Sequence, residues 1–234
     1  MKKYEEQFYN FTHSDFEIVE KQNYDSPWLK YVGGLPVIIY DKDATGGSCL
    51  RLQCTKEGGE VKTSAVWTKG SYTFSDGRIE IRARFHGGNS SWPAIWLQHY
   101  DRIKPGNEEY YEIDICEYFE KRKRCKTGLF MPKHLKWGLS RLFRPKRHPR
   151  INRDGWNVFV CEWDEKHIFI SLNGKKVLDY KNNGKPECFP QLARERTFAL
   201  ILSMQYGKKW LKNEKHSQLP LWMDIDYVKY ESKK

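Results

Sequence analysis

The chain has 234 residues, a length that suits one domain with a single substantial core, and we expect one domain over residues 1–234. Charged residues make up 30% of the chain, and no segment approaches the roughly 20 consecutive apolar residues of a membrane-spanning helix, so a helical membrane protein is excluded. The six cysteines show no paired Cys-x-x-Cys spacing, which argues against a zinc site and leaves their disulfide state open.

The N-terminal residues Met1–Gln7 are charged and are followed by polar and aromatic residues, not by an apolar run. A secretory signal needs an apolar stretch of about 7–15 residues. The printed sequence therefore predicts a soluble protein without such a signal.

Short apolar runs separated by turn-forming residues fill the first part of the chain, residues 8–60. Arg78–Phe85 then alternates apolar and polar residues, and Gly87 and Gly88 predict a turn before a strand around Trp92. Residues 98–110 are polar and contain Pro-Gly, which predicts a loop. This cadence is typical of an antiparallel β-sandwich or barrel.

The acidic segment Glu112–Glu117 is the most informative stretch of the chain. Glu112 and Asp114 alternate with two isoleucines, the pattern of a strand with one acidic and one apolar face. Glu117 breaks the alternation, and a β-bulge near Ile115 would return it to the face of the other two acids. The sequence thus predicts three carboxylates in one row.

A row of like charges is costly, because each carboxylate resists ionisation while the others are charged. Hydrolysis of a glycosidic bond requires neighbouring carboxyl groups despite this cost, since one carboxyl group must protonate the leaving oxygen while another attacks or activates water. The alternative is a solvated acidic strand face whose third acid points elsewhere. The spacing by itself does not decide between the two.

Two basic segments carry most of the net charge of +11: residues 120–126 hold five basic residues and one acid, and residues 141–150 hold five basic residues and no acid. They are solvated surface, or a cleft rim that attracts an anionic glycan, or a nucleic-acid site. No nucleic-acid motif accompanies them, which makes the third reading the weakest. Residues 132–154 are too long for an ordinary connector and predict a basic loop insertion or lid.

The C-terminal part of the sequence predicts further strands. Asn173-Gly174 lies between two apolar runs and is the strongest hairpin signal of the chain. Residues 197–204 form a continuous apolar run that suits a central strand, and residues 222–230 alternate and should close a sheet.

Several of these segments together resemble glycoside hydrolase family 16. The resemblance rests on an ordered series of blocks: the glycine-arginine strand at 76–85, Trp-Pro-Ala-Ile-Trp at 92–96, Glu-x-Asp-x-x-Glu at 112–117, the strand at 156–163 with its Asn-Gly hairpin, and the closing strand at 223–228. It implies a concanavalin-like jelly-roll sandwich of two antiparallel sheets with an open concave cleft. It also implies Glu112 as nucleophile, Glu117 as general acid and base, and Asp114 as the residue that orients and tunes the pair.

The resemblance also suggests residues that contact the sugar. Trp92 and Trp96 share one strand face and are expected to stack on sugar rings, with burial of either as the alternative. Trp210 and Gln205 are expected to contribute from a late loop and strand. Arg78 is a further candidate ligand, although an ion pair on the strand face is the commoner role for such an arginine.

We therefore expect a retaining endo-glycosidase that cleaves internal β-linkages of a polysaccharide such as β-1,3-glucan. Alternatives are an endo-hydrolase of galactan or of an anionic polysaccharide, and a non-catalytic lectin-like sandwich. We expect a polysaccharide substrate, no membrane or nucleic-acid partner, a monomer, and no cofactor. A structural calcium ion, which some relatives bind, is not readable from these residues, and the family is generally secreted.

Overall fold

The fold was taken from a computed structural model, which describes residues 1–20, 31–68, 71–88, 90–99, 111–120, 124–130, 145–182, 184, 197–207 and 218–233. Apart from one 3-10 turn at Phe11–His13, the regular structure in these ranges is β-strand. Their bounds are β1 (Lys3–Glu6), β2 (Glu17–Ile18), β3 (Val37–Tyr40), β4 (Ser48–Glu57), β5 (Glu60–Thr63), β6 (Ala65–Trp67), β7 (Gly77–His86), β8 (Ser91–His99), β9 (Glu112–Phe119), β10 (Arg124–Phe130), β11 (Lys146–Arg147), β12 (Asn157–Trp163), β13 (His167–Leu172), β14 (Lys175–Lys181), β15 (Phe198–Tyr206) and β16 (Leu221–Ser232).

The strands form two antiparallel sheets, which confirms the predicted all-β sandwich. The nine-stranded sheet has the order β14-β13-β12-β7-β16-β4-β3, with β1 added to β16 and β5 added to β4. The seven-stranded sheet has the order β11-β10-β9-β8-β15-β6-β2 and contains the acidic strand. The two short strands β2 and β11 therefore form its edges.

The main hydrophobic core lies between the sheets and follows the alternation of the strands. In β7, Ile79, Ile81 and Ala83 are fully buried in this core, while Glu80 and Arg82 between them point outward. In β15 and β8 the residues of both faces are buried, and on the outer face of the seven-stranded sheet Val19 and Val32 pack against Trp96 and Ile201. The continuous apolar run of β15 therefore occupies the interior of its sheet, as predicted.

The predicted hairpin is formed by β13 and β14 around Asn173 and Gly174. Both residues have positive φ angles, 50° and 74°, the backbone conformation that Asn-Gly tolerates best. The Asn173 side chain also accepts a hydrogen bond from the Val158 backbone N–H at 2.8 Å, which ties the turn to β12. The hairpin is thereby fixed to the third strand of its sheet.

The last strand, β16, lies in the interior of the nine-stranded sheet and does not close it at an edge. It pairs with β7 on one side and with β4 on the other, and its end also pairs with β1. The alternation of residues 222–230 predicts a strand but carries no information on its neighbours.

Two buried aspartates on the outer face of the nine-stranded sheet are neutralised by arginines. Asp224 accepts hydrogen bonds from Arg51 at 2.7 and 2.9 Å and from Arg84 at 2.9 and 3.0 Å. Asp226 is paired with Arg82 and also accepts from the backbone N–H and hydroxyl of Thr45. Both carboxylates are almost fully buried, so these contacts compensate for their lost hydration.

Five of the six cysteines lie in the described residues, and all five are buried free thiols, whereas Cys188 lies outside these residues. Burial, with the nearby Asp224 carboxylate, raises the pKa of Cys49 to about 12. Burial and a hydrogen bond with Cys125 raise the pKa of Cys116 well above its ordinary value. The thiols of Cys49 and Cys116 therefore stay protonated at neutral pH.

Two further observations concern the described residues alone. No group of three or more His, Cys, Asp and Glu side chains in them could hold a metal ion. None of their helices is long and apolar enough to cross a membrane. The predicted insertion at 132–154 falls partly outside them, but its Lys146–Arg147 forms β11 and extends the seven-stranded sheet beside β10.

Candidate active site

A β-bulge in β9 sets the arrangement of the three acidic side chains. On one side of β9, Ile95 is opposite Cys116 while the next residue, Trp96, is opposite Asp114, so Ile115 has no counterpart. On the other side, the register also shifts, between Lys126 and Gly128. The extra residue lies where the sequence predicts the bulge.

The bulge separates the acids from the apolar residues of the same strand. Ile113, Ile115, Cys116 and Tyr118 all pack into the core between the sheets. Two consecutive residues, Ile115 and Cys116, thus point inward, and Glu117 returns to the face of Glu112 and Asp114. We call this outer face of the seven-stranded sheet the acid face.

The carbonyl group of the bulged residue is held by a side chain of the neighbouring strand. The Thr127 hydroxyl donates a hydrogen bond to the Ile115 carbonyl oxygen at 2.8 Å, and Thr127 is 1% exposed. A bulge removes a backbone group from the regular ladder, and a buried carbonyl without a partner is destabilising. Thr127 therefore compensates for the irregularity that brings the acids together.

Glu117 is paired with a lysine of the neighbouring strand. Lys126 lies opposite Glu117 in the register of β9 and β10, and its Nζ donates to Glu117 Oε2. The two side chains are 15% and 6% exposed, so this ion pair is largely shielded from water. Lys126 belongs to the basic segment 120–126, for which solvated surface, a cleft rim and a nucleic-acid site were all considered; the structure places this residue in β10 on the acid face.

Glu112 and Asp114 also have neighbours on the adjacent strands of the acid face. Glu112 lies between Phe130 of β10 and Gln98 of β8. Gln98 is fully buried, and neither its amide nitrogen nor its amide oxygen has a hydrogen-bond partner among the described residues. Asp114, which is 4% exposed, lies opposite Trp96. A polar amide therefore adjoins the first acid and an indole ring adjoins the second.

Trp92 lies at the Glu117 end of the acid face, as its predicted strand face requires. Its ring is stacked on Phe119 with centroids 6.0 Å apart, and Gln205 lies opposite Trp92 in the register of β8 and β15. Gln205 donates to the Ser203 hydroxyl at 3.2 Å. An aromatic pair and a buried amide thus adjoin Glu117.

Trp96 is also on the acid face, but its ring is covered. It packs in a second apolar cluster with Val19, Val32 and Trp67, and it is 6% exposed. Its Nε1 donates to the Ser203 hydroxyl at 3.3 Å. The alternation of β8 therefore predicted the correct face for Trp96. It could not predict that residues from the N-terminal part of the chain cover the ring.

Two other candidate ligands do not join the site. Arg78 lies on the outer face of the nine-stranded sheet, where it is paired with Glu80 and with Glu162 at 3.7 Å. The core of the sandwich separates this face from the acids, so Arg78 cannot contact a sugar bound at Glu112. Trp210 lies outside the described residues.

Lys126, Phe119, Gln98 and Thr127 are residues of this site that the sequence analysis did not single out. A signal for Lys126 was present: Cys125, Thr127 and Leu129 alternate with Lys126, Gly128 and Phe130, which is the period of a strand. The dense positive charge of residues 120–126 obscured this alternation. Only three of those residues, Arg124–Lys126, belong to β10.

Comparison with known proteins gives a consistent result over most of the chain. The family described as glycosyl hydrolases family 16 matches residues 36–229. The keratan-sulfate endo-1,4-beta-galactosidase of Sphingobacterium multivorum is 23% identical over 86% of this chain and 48% of its own length. The beta-glucanase of Rhodothermus marinus is 26% identical over 79% of this chain and 68% of its own length. The chain thus spans about half the length of the first of these relatives.

Solved structures support the fold. The laminarinase from Flavobacterium sp. UMI-01 has a TM-score of 0.78 and 21% sequence identity, with 98% of this chain and 99% of that chain covered. The match of the family over residues 36–229 includes the acidic strand and its bulge, and it covers most of the 234 residues. The chain is a member of glycosyl hydrolases family 16.

Proposed function

We propose that this protein is a retaining endo-glycosidase that cleaves internal β-linkages of a polysaccharide. The observation that carries the proposal is the bulge at Ile115, which brings Glu112, Asp114 and Glu117 to one outer face of the sandwich. A binding protein has no use for three neighbouring carboxylates, whereas a double displacement needs two of them. The similarity to a beta-glucanase and to a keratan-sulfate endo-1,4-beta-galactosidase favours the same class of reaction.

In this proposal Glu117 gives its carboxyl proton to the glycosidic oxygen while a carboxylate oxygen of Glu112 attacks the anomeric carbon. The bond from this carbon to the leaving sugar breaks, and an ester between the sugar and Glu112 forms. Water then attacks the same carbon, passes a proton to Glu117 and releases Glu112. Two inversions at one carbon retain its configuration. The chemistry needs carboxyl groups and water alone.

The aromatic pair beside Glu117 supports a role in holding the sugar chain. Trp92 and Phe119 stack on each other at the end of the acid row, and neither belongs to the apolar cluster that covers Trp96. They are 8% and 7% exposed, so only an aromatic edge is available, and such an edge suits the face of a pyranose sugar. Gln205, opposite Trp92, offers a buried amide for a sugar hydroxyl. We assign these three residues to substrate binding. Trp96 is left out of this assignment, because Val19 and Val32 cover its ring on the acid face.

A neutral β-glucan and an anionic galactan are both candidate substrates. The basic residues of β10 and β11 favour the second, because Arg124, Lys146 and Arg147 are exposed at the edge of the sheet that contains the acids. Long-range attraction by such an edge raises the association rate of an anionic polymer. The keratan-sulfate endo-1,4-beta-galactosidase to which this chain is similar is named for a sulfated glycan.

The proposal is tested by incubating the protein with a panel of neutral and anionic β-glycans and measuring new reducing ends. We expect Glu112→Gln to lose turnover and Glu117→Gln to lose about 10²–10⁴-fold in kcat. Glu162→Gln is the matched control, since Glu162 lies in the nine-stranded sheet and is paired with Arg78. Binding of glycans without turnover by the wild type would instead identify a lectin-like protein.

The individual roles are separated by azide rescue with an aryl glycoside whose leaving group needs no protonation. In Glu112→Ala, azide replaces the missing nucleophile and the product has inverted configuration. In Glu117→Ala, Glu112 still forms the ester and azide then gives a product with retained configuration. The same product configuration from both variants would contradict the assignment.

A further inference from the structure

Lys126 points into the acid face, although it belongs to a basic segment. It lies opposite Glu117 in the strand register, and its ammonium group is hydrogen-bonded to the Glu117 carboxylate. Its side chain is 15% exposed and that of Glu117 is 6% exposed. Because both groups have lost most of their hydration, their attraction is stronger than that of an exposed pair.

This ion pair opposes the role proposed for Glu117. A neighbouring ammonium group favours the ionised form of a carboxyl group, but Glu117 must carry a proton in order to release the leaving sugar. The opposing residues of the other strands, Ala94 of β8 and Ser203 of β15, are uncharged. From its own strand Glu117 has Asp114 as an acidic neighbour, and from β10 it has Lys126 and Arg124. The ion pair with Lys126 therefore works against the proton donation that this role requires.

The surroundings of Lys126 are suited to an anion. Arg124 lies two residues earlier on the same face of β10, and Lys146 of β11 lies opposite Gly128. Arg124 and Lys146 are exposed, and the structure shows no ion pair between either of them and a described carboxylate. An anionic group that reaches this edge therefore meets exposed cations first and the shielded Lys126 next.

We propose that Lys126 is a specificity-determining residue that selects β-glycans with a sulfate or carboxylate group next to the scissile bond. This proposal rests on the hydrolase function proposed above. The anionic substituent takes over the ammonium group of Lys126. Glu117 is thereby released and keeps the proton that it received from the attacking water of the previous turnover. It donates this proton to the glycosidic oxygen as that bond breaks. A neutral glycan offers only hydroxyl groups and leaves Lys126 paired with Glu117.

The exposed cations and Lys126 have different effects in this proposal. Arg124 and Lys146 raise the local concentration of the anionic polymer, an effect that salt screens over about 10 Å at 0.1 M. Lys126 acts on the chemical step, through a short contact that is shielded from water. A loss of Lys126 therefore changes the ratio of kcat values for anionic and neutral substrates, and a loss of Arg124 changes mainly KM.

The experiment compares sulfated, carboxymethylated and unmodified forms of one β-glycan backbone with the wild type, Lys126→Met, Lys126→Arg and Arg124→Met. We expect Lys126→Met to lower kcat/KM for the anionic forms by about ten- to a hundredfold, as for a lost hydrogen bond between charged groups, and to raise kcat for the neutral form. Lys126→Arg retains the cation and most of the preference. Arg124→Met, the matched control, gives a smaller change that disappears with added salt. Thermal unfolding of each variant separates a loss of fold from a loss of preference.

Failure of the Lys126 role and failure of the hydrolase function give different results in this experiment. Equal or faster cleavage of the neutral form by the wild type, or an unchanged preference in Lys126→Met, overturns the role of Lys126 but leaves the hydrolase intact. Release of no reducing ends from any form overturns both. The sulfated and carboxymethylated forms identify which anion is preferred.

Discussion

The hydrogen bond from Thr127 to the bulged Ile115 leads to a prediction that links stability with turnover. Thr127→Val preserves the shape of the side chain and replaces its hydroxyl with a methyl group. The Ile115 carbonyl, in a residue with no exposed surface, then loses its 2.8 Å partner. A buried acceptor left without a partner costs about 1–3 kcal/mol.

This cost is a substantial part of the 5–15 kcal/mol that stabilises a typical domain. For a protein of this size each kcal/mol lowers Tm by about 2–4 °C. Relaxation of the bulge also moves Glu117, two residues along the strand, away from the position that the bulge gives it. Displacement of a catalytic group by about 1 Å can cost on the order of 10²-fold, so we expect kcat to fall by about ten- to a hundredfold.

The assay combines urea unfolding, followed by tryptophan fluorescence, with kcat on a glycan that the wild type cleaves. Thr127→Ser is the control, because it keeps the hydroxyl group and loses a methyl group. We expect it to keep most of the activity despite a modest loss of stability. Wild-type stability and turnover in Thr127→Val would refute the reasoning, as would an equal loss of activity in Thr127→Ser.

Three further changes test other parts of the structure. Asp224→Asn removes the carboxylate that pairs with Arg51 and leaves Arg84 with Asp41 alone. Since both arginines are about a quarter exposed, we expect a loss of about 2–4 kcal/mol in urea unfolding, and a loss below 1 kcal/mol would contradict the compensation described. Although burial acts to raise the pKa of Asp164, the hydrogen bonds that it accepts, first from the Lys233 side chain, hold this pKa well below its ordinary value of 3.8. The ionised Asp164 therefore stabilises the folded state above about pH 4, and this stabilisation is lost as the pH falls towards the depressed pKa. We expect Asp164→Asn to be less stable than the wild type by about 1 kcal/mol at pH 6 and by less at pH 3. A difference in stability that does not change with pH would refute this. Trp92→Ala should raise KM for the cleaved glycan about tenfold while the Asp164 variant does not, and an unchanged KM would remove Trp92 from the binding surface.

The sequence predicted the acid face because two independent constraints coincide there. Strand alternation places Glu112 and Asp114 together, and the chemistry of glycosidic cleavage requires Glu117 to join them. A bulge is the smallest change of register that satisfies both. The hairpin at Asn173 and Gly174 was predictable for a similar reason, since few other residue pairs accept positive φ at both positions.

Other features depend on contacts between distant parts of the chain and were not predictable from local patterns. Alternation shows that Arg78 is on the polar face of its strand but not which sheet contains that strand. It likewise places Trp96 on the correct face but does not reveal that Val19 and Val32 cover it. Lys126 was missed because the charge of its neighbours outweighed the strand period.

The position of β16 has a consequence for the synthesis of the protein. Translation produces residues 221–232 after every other described strand, yet this segment separates β7 from β4 and pairs with β1. Until it leaves the ribosome, the sheet exists as two fragments with open edges, and such edges recruit other chains. Chains truncated before residue 221 should therefore aggregate and not accumulate as a less active enzyme. The need for chaperones should increase with the time between synthesis of β7 and synthesis of β16.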